Sequence, residues 1–476
     1  MKYNHVLALY PYFKDSTATM GIFPPTGLEY IATNIKDHVG KVTLLDLRYE
    51  KKFQDVKLLS EFIKNEIDLI CISITWNSQF NLICDLISQL PDDVTTVVGG
   101  YKATEEIEYL FERCQNIDII VRGEGEDTIR EVVNGPGYND ILGLSYRKNG
   151  TVIHNDPRPL PDISAAAFPD RSLRRHDYQW IQSGARITDL TFDTVLTSRG
   201  CPYNCKFCTC SLNPLGQKRK YAERPLDSVI EELKNIAADV VMFSDDNFFT
   251  NPKRSKQLCD LIIENGIKKR FCVQTRIEIG RDPDLLEKAD KAGFKLYLIG
   301  IESPHDKILE QLNKGITQKQ TRNAFKTLNK YNFFIHGYFI YGNIGETEEE
   351  MVYIARFAKE MRLDTISFQK LRIEKYSPLK EIVENTPGYY FKRIGGAVYS
   401  DKHDRKDFKR IRNRIRSDFY DFQQIRQILH KVHKSGLLTK WELLQILTRL
   451  PIILFRLLKR QVKKKTSQVR GVPLGS

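Results

Sequence analysis

Along two long stretches of this 476-residue chain, short apolar runs alternate with amphipathic segments of helical period. That alternation leaves few architectures open. A strand that is apolar along its whole length must be covered on both faces, and intervening helices provide the cover when the strands run parallel. In residues 1–135 the strand candidates are His5–Tyr10, Val42–Asp46, Asp68–Ile74, Thr95–Val98 and Asp118–Val121. Helix candidates between and after them are Gly27–Asp37, Val56–Asn65, Gln79–Leu90, Thr104–Phe111 and Glu126–Val133. The expectation is an α/β, doubly wound parallel sheet, which binds ligands beyond the C-terminal ends of its strands. The loops at that edge are Pro11–Pro25, Thr75–Gln79, Gly99–Thr104 and Gly123–Glu126.

Residues 191–372 repeat the strand-then-helix pattern. Strands are expected at Phe192–Thr197, Val240–Ser244, Arg270–Arg276, Phe294–Ile301, Phe333–Tyr341 and Thr365–Leu371. Leu226, Val229, Ile230 and Leu233 fall on one face of a helix, as do Leu258, Leu261 and Ile262. Asp282-Pro283-Asp284 opens another helix, Thr317 caps the next, and Glu346 is expected to cap the one after. The βα units suggest a partial (β/α)6 barrel, whose chemistry sits at the C-terminal strand ends. His336 reads as structural, one residue off the face that Ile340 presents.

Residues 136–190 read as a connector. Gly135-Pro136-Gly137 ends a helix, Leu142–Arg147 and Thr151–His154 suggest a hairpin around Lys148-Asn149-Gly150, and several prolines follow. A plain surface linker is the favoured reading, with Tyr178 and Trp180 also able to face a substrate cavity. Residues 373–476 have a character of their own. Residues 401–476 hold 20 of the 73 Lys/Arg and only 6 of the 60 Asp/Glu, so the net charge of +13 belongs to this tail. Leu437, Trp441, Leu444, Leu447, Leu450, Leu454 and Leu458 recur every three or four positions among lysines and arginines. A basic amphipathic helix of this kind suits an anionic membrane surface, here over 437–465. A helix packed on the barrel with a solvated basic end is the competing reading, and nucleic acid is disfavoured because no RNA-binding motif accompanies the charge. The length argues two or three domains. No N-terminal signal and no run long enough to cross a membrane stand out, which suggests a cytoplasmic protein, peripheral to the membrane at most.

Thr197–Cys210, TSRGCPYNCKFCTC, carries the chemistry. Cys201, Cys205 and Cys208 stand at C-x3-C-x2-C spacing in a short Gly/Pro-bearing loop, so three thiolates can converge on one centre. Iron–sulfur clusters are held by such thiolates and mostly take four. Three in register leave one iron open to a small-molecule ligand, as a catalytic metal site keeps an open position. Cys210, one residue beyond Cys208, is an awkward fourth ligand. A zinc site would show a second Cys/His pair downstream, and a disulfide framework needs an oxidising compartment. Both remain as alternatives to be weighed.

The loop resembles the signature of the radical S-adenosylmethionine (SAM) enzymes, with aromatic Phe207 before its last cysteine. The resemblance implies that Cys201, Cys205 and Cys208 hold a 4Fe-4S cluster and that SAM binds the open iron. It further implies reductive cleavage of SAM to a 5′-deoxyadenosyl radical, with electrons from a donor such as flavodoxin or ferredoxin. The strand ends then become SAM candidates: Asp245 and Asp246 after strand two, Gln274, Arg276 and Glu278 at strand three, Gly300 and Glu302 at strand four, and Ile340 at strand five. The first domain resembles the Rossmann-like (flavodoxin-like) cobalamin-binding domain of one subgroup. The matching pieces are Phe23–Leu28, Leu45-Asp46, Ser73-Ile74-Thr75, Gly99–Thr104 and Arg122–Glu126. This implies cobalamin contacts from Ser73, Thr75, Gly99, Gly100, Gly123 and Glu124. The D-x-H-x-x-G cobalt-ligand motif is absent, and Lys102 stands where many relatives carry His.

The expected parts are 1–135 cobalamin-binding, 136–190 connector, 191–372 radical SAM barrel and 373–476 basic helical region. The leading function is cobalamin-dependent methylation of an unactivated carbon on a small, hydrophobic or membrane-derived substrate. The rival enzyme reading is ring formation or rearrangement of a tetrapyrrole or lipid. A methylthiotransferase is disfavoured, since Cys71, Cys84 and Cys114 lie in apolar patterns or a surface turn. The non-enzyme reading is an iron–sulfur redox or cofactor-sensing protein.

Overall fold

Val6, Leu7, Ala8 and Leu9 of strand β1 (His5–Tyr10) are all fully buried, because the strand is covered on both faces. The computed structural model describes residues 2–13, 22–164, 166–182, 185–210 and 212–451. The described residues divide into two compact units, 2–192 with 444–451, and 193–443.

In the first unit β1 is followed by α1 (Thr26–Ile35), β2 (Lys41–Asp46), α2 (Val56–Glu66), β3 (Leu69–Ser73), α3 (Phe80–Ile87), β4 (Thr95–Gly99), α4 (Tyr101–Glu105), α5 (Ile107–Arg113), β5 (Ile119–Val121) and α6 (Glu126–Asn134). β6 (Leu144–Lys148) and β7 (Thr151–His154) complete a seven-stranded sheet of order β2-β1-β3-β4-β5-β6-β7. β1 to β5 are parallel. Successive side chains alternate between two apolar cores: Leu7, Ile70 and Ile72 join Leu59, Ile83 and Leu110, while Val6, Leu69 and Cys71 join Ile129 and Val132. The chain runs from β1 outward to β2 and then crosses to β3 on the other side. This is the switch point at which such sheets bind ligands.

The connector expectation needs correction. Residues 144–154 form the expected hairpin, but the hairpin extends the sheet, with β6 antiparallel to β5. Asn149 (φ 51°) and Gly150 (φ 79°) give the positive-φ pair that a tight hairpin turn demands. Further on, Arg174 makes a bidentate pair with buried Glu29 at 2.6 and 2.8 Å, and Tyr178 is buried with its hydroxyl 3.3 Å from Asp46. The segment is part of the sheet and its core rather than a wrapped linker.

β8 (Tyr178–Gln182) pairs antiparallel with β9 (Ala185–Val195), along which the chain enters the second unit. After β10 (Ser198–Arg199) and β11 (Ala222–Glu223) come α7 (Leu226–Lys234), β12 (Val240–Phe243), α8 (Pro252–Glu264), β13 (Arg270–Thr275), α9 (Pro283–Ala292), β14 (Phe294–Glu302), α10 (Asp306–Gln311), α11 (Gln318–Leu328), β15 (Phe334–Tyr341), α12 (Glu348–Glu360) and β16 (Thr365–Lys370). The strand order is β16-β15-β14-β13-β12-β9-β8, sequential from β9 to β16, as a half-barrel requires. Asp282 caps α9, and Thr317 forms a reciprocal capping box with Gln320 on α11. Glu346 does not cap α12. Thr347 does, in a box with Glu350, while buried Glu346 accepts from the amide and side chain of Asn343 at 2.9 and 3.0 Å.

The register sets out the uncovered face of this sheet. Gln274, Leu298, His336 and Thr365 form one row, and Gly300, Tyr338 and Ser367 the next, with Ile340 opposite Gln369 beyond. His336 therefore shares the face of Tyr338 and Ile340, contrary to the expectation that it lies one residue off it, since residues two apart on a strand point the same way. Its Nδ1 lies 2.8 Å from Thr365 Oγ1.

Beyond β16, β17 (Arg372–Ile373), α13 (Leu379–Glu384), β18 (Tyr389–Phe391) and β19 (Gly396–Ser400) gather a small core with Ile340 and Ile344. α14 (Arg405–Phe419) buries Phe408, Ile411, Ile415 and Phe419 in the main core and turns its arginines outward. α15 (Phe422–Lys434) and a helix over 440–451 end the described chain. Leu454, Leu458 and the rest of 452–465 lie outside the described residues.

Candidate active site

The cysteine loop leaves β9 at the C-terminal edge of the half-barrel. Its entry is held by Asp245, which is wholly buried and accepts from Thr197 N (2.7 Å), Thr197 Oγ1 (2.5 Å) and Ser198 Oγ (2.6 Å). Burial raises the Asp245 pKa to about 6 against these hydrogen bonds. Asp246 is exposed and grips the loop itself, accepting from Gly200 N at 3.0 Å and Cys210 Sγ at 3.1 Å. Both carboxylates, expected near SAM, hold the cysteine loop in shape in this structure. Gly200 has φ +83°, and a Cβ there would meet the backbone of Lys220 at 2.6 Å.

The loop's far side is fixed by the segment around 312–314 and by Ser377. Lys206 N donates to Leu312 O (3.0 Å), Asn313 Nδ2 to Asn204 O (2.8 Å) and Ser377 Oγ to Lys206 O (2.6 Å). Phe207 packs against the Ile340 core. Cys205 is buried, and Cys201 and Cys208 are half-buried.

Arg276 binds these pieces together. Its Nη1 lies 3.6 Å from Cys205 Sγ, its Nη2 donates to Lys314 O at 2.5 Å, and its guanidinium stacks 3.7 Å from the Tyr203 ring centroid. Glu278 accepts from Arg276 Nε at 3.0 Å through one oxygen, while its other oxygen is buried with no donor among the described residues. Buried Lys314 pairs with buried Glu302 at 2.9 Å. Glu302 takes φ +70°, at a shift in register between β14 and β15. A Cβ at Gly300 would lie 2.6 Å from the Glu302 carboxylate and 2.9 Å from Lys314 Nζ, so a side chain there would push this ion pair aside. Gln274 is exposed on the uncovered face, and Ile340 is buried beside Phe207 in the small core.

Among the described residues no three His, Cys, Asp or Glu side chains stand close enough to share a single metal ion. A four-iron cluster sets its ligand sulfurs farther apart than one ion does, so the test is the chemistry of the donors. Three thiols on one loop, two neighbouring cations and an orphaned buried carboxylate oxygen fit an anionic thiolate set and a ligand with donors to offer.

In the first unit, Ser73, Gly99 and Val121 are register partners, so the ends of β3, β4 and β5 form one edge. Ser73 Oγ lies 3.4 Å from Thr75 Oγ1. Gly100 (φ +105°) would carry a Cβ 2.7 Å from Ile74 O, and Gly123 (φ +78°) donates its amide to Thr104 Oγ1 at 3.0 Å. Half-buried Gly123 and Glu124 complete the edge. Hydroxyls and open glycine backbone fit a large amide-rich cofactor. Lys102 is buried, with its ammonium 2.5 Å from Glu105 and 2.6 Å from Glu106.

Known proteins supply the family. Residues 195–358 match the model of the radical SAM superfamily, and residues 17–133 that of the B12 binding domain. An uncharacterized methyltransferase of Pyrococcus horikoshii is 30% identical over 357 residues, spanning 72% of this chain and 75% of that protein. The chain belongs to the radical SAM superfamily. This radical SAM protein is also similar to an anaerobic magnesium-protoporphyrin IX monomethyl ester cyclase of Rubrivivax gelatinosus, at 23% identity over 87% of this chain and 76% of the cyclase. Its fold is that of TsrM, a radical SAM methyltransferase from Kitasatospora setae solved with cobalamin and a 4Fe-4S cluster bound. The TM-score is 0.66 at 18% identity, covering 83% of this chain and 81% of TsrM.

Local spacing reveals the three cysteines of this radical SAM enzyme. Lys314, Tyr203, Arg224 and the Thr197–Ser198 hydroxyls escaped sequence reading. Each is polar and separated from its partner in the chain; Thr197, Ser198 and Tyr203 lie inside the cysteine motif, which does not announce their partners Asp245 and Arg276.

Proposed function

We propose that this radical SAM enzyme carries out cobalamin-dependent methylation of an unactivated carbon on a small-molecule substrate. The observation that supports this best is the pairing, in one chain, of a three-cysteine loop at a half-barrel's C-terminal edge with a B12-type sheet carrying glycine and hydroxyl loops at its own. When bound, the 4Fe-4S cluster supplies the electron for reductive cleavage of SAM, and cobalamin carries a methyl group to a carbon without a lone pair for polar transfer.

In this reading Cys201, Cys205 and Cys208 hold the cluster. Arg276 keeps positive charge beside Cys205 and favours its thiolate. Asp245 and Asp246 hold the loop in shape. The free oxygen of Glu278 and exposed Gln274 orient SAM, and Gly300 leaves room beside the Glu302–Lys314 pair. Ser73, Thr75, Gly99, Gly100, Gly123 and Glu124 receive the corrin. Lys102 does not serve as a cobalt ligand, because a paired ammonium has no lone pair to give. The working division is 1–135 for cobalamin, 136–190 extending that sheet and leading the chain on to the barrel, 191–372 for radical chemistry and 373–476 as the basic helical region. A hydrophobic, membrane-derived substrate fits the tail, and a flavodoxin or ferredoxin of the cytoplasm fits the need for single electrons. The likeness to the cyclase supports ring formation as the second reading.

The test is anaerobic. The chain is reconstituted with cluster and hydroxocobalamin, freed of excess cofactor, and measured for cobalt per chain and visible spectrum. SAM and reductant are then added and 5′-deoxyadenosine is assayed. Near-stoichiometric cobalt with 5′-deoxyadenosine is expected. 5′-Deoxyadenosine without cobalt rules out the methylation mechanism. A cluster with neither points to a redox or sensing protein.

A further inference from the structure

The last two described helices are packed inside out. In α15 the buried residue is Gln424, whose Nε2 donates to the backbone oxygens of Leu363 and Asp364 at 2.9 and 3.0 Å. Asp421, at its N-cap, pairs with Lys359 at 2.6 Å. Three of its large apolar residues point the other way: Phe422, Ile425 and Leu429 are 84%, 47% and 55% exposed, while Ile428 and Val432 are half-buried. They sit at i, i+3 and i+7, which is one stripe.

The helix over 440–451 repeats the inversion. Glu442 is buried and accepts from both Arg270 Nη atoms at 2.7 and 2.8 Å. Gln445 is buried and trades hydrogen bonds with Asp189 at 3.0 and 2.5 Å. Trp441, Leu444, Leu447 and Leu450 are 66%, 48%, 60% and 41% exposed. Scattered exposed leucines are ordinary. Two successive helices anchored by buried glutamines and a glutamate, each with a ring or leucine stripe in water, are not, since burial of those stripes would release free energy that the fold forgoes.

The charge identifies what covers them. Arg426, Lys434 and Lys440 accompany the stripes, and the sequence continues with Arg456, Lys459, Arg460 and Lys463–Lys465 interspersed with Leu454 and Leu458. A second copy of this face would bring like charge against like charge. A nucleic acid would satisfy the cations and leave Trp441 and Leu447 in water. An anionic bilayer offers headgroup charge and an apolar interior within one side chain's reach. We infer that α15 and the helix beginning at residue 440 are in-plane anchors that seat this protein on an anionic membrane surface. The inference goes beyond the proposed chemistry and holds or fails independently of it.

The test uses the full chain and flotation with vesicles of phosphatidylcholine alone and of phosphatidylcholine mixed with phosphatidylglycerol. Binding is expected with the mixed vesicles and should fall as salt rises. The triple variant Phe422→Ser, Ile425→Ser, Leu429→Ser and the double variant Leu444→Ser, Leu447→Ser should each lose about tenfold or more in partitioning. Their unfolding curves should match the parent, because these side chains already face water. The parent alone also decides: mixed vesicles should slow tryptic cleavage within 440–465. Flotation with neither vesicle, unchanged flotation of both variants, a variant-dependent change in oligomeric mass, or variant-sensitive retention on nucleic acid in place of vesicles would each overturn the inference.

Discussion

One arginine ties the cysteine loop and the segment around Lys314 to its own strand end. Arg276 reaches Cys205 on the first loop, Lys314 after the fourth strand and Tyr203 between the cysteines, and no spacing in the sequence announces the set. His336 shows the same limit in another form. Its place on the uncovered face follows from strand parity, but its partner Thr365 comes from a strand 29 residues away. Burial lowers its pKa to about 4 from the ordinary 6.5. The folded state therefore favours the neutral ring. That stabilisation is complete above about pH 6.5 and is lost as pH falls toward 4. His336→Gln should flatten the fall in Tm across that window relative to the parent, as read by thermal unfolding at successive pH values. An equal fall in both proteins would exclude His336 as its source.

Arg224 belongs to the junction between β11 and α7. It is fully buried, pairs with equally buried Glu232 at 2.5 Å and donates to Leu196 O at 2.7 Å, one residue ahead of the cysteine segment. Breaking a buried ion pair by removing one member costs about 3–5 kcal/mol. Arg224→Ala should lower the unfolding free energy by that order in denaturant titrations and reduce iron retained per chain after reconstitution. A variant with parent-like stability would show that Glu232 finds another partner. Elements as such were largely legible, because a parallel strand is apolar throughout and a helix shows its period. What was not legible was their use. Residues 144–154 read as a hairpin, yet only long-range pairing with β5 shows that they widen the sheet. Glu346 sits where a cap belongs, yet Thr347 is the residue whose hydroxyl reaches the Glu350 amide.

Across the whole molecule, the tail's excess of 14 positive charges sits against a body of nearly balanced charge. The tail also completes the fold: Glu442 answers Arg270 in the second unit, and Gln445 and Arg449 answer Asp189 in the first. Truncation after Lys434 should strip these charge-assisted bonds and cost about 2 kcal/mol, or roughly 4–8 °C in Tm. An unchanged Tm would mean that the polar edge of the last helix contributes nothing to stability.

The order of strands and helices, the three-cysteine loop, the B12-type edge and the basic amphipathic tail were all determined by the sequence alone. Each is written in residues close together in the chain, where spacing and period are visible. The assembly of the Arg276 corner, the spending of Asp245 and Asp246 on the cysteine loop, and the outward turn of the last helices' apolar stripes were decided only in three dimensions. Those outcomes depend on which distant polar group is available to satisfy a buried charge or amide, and such pairings leave no periodic trace in one chain's sequence.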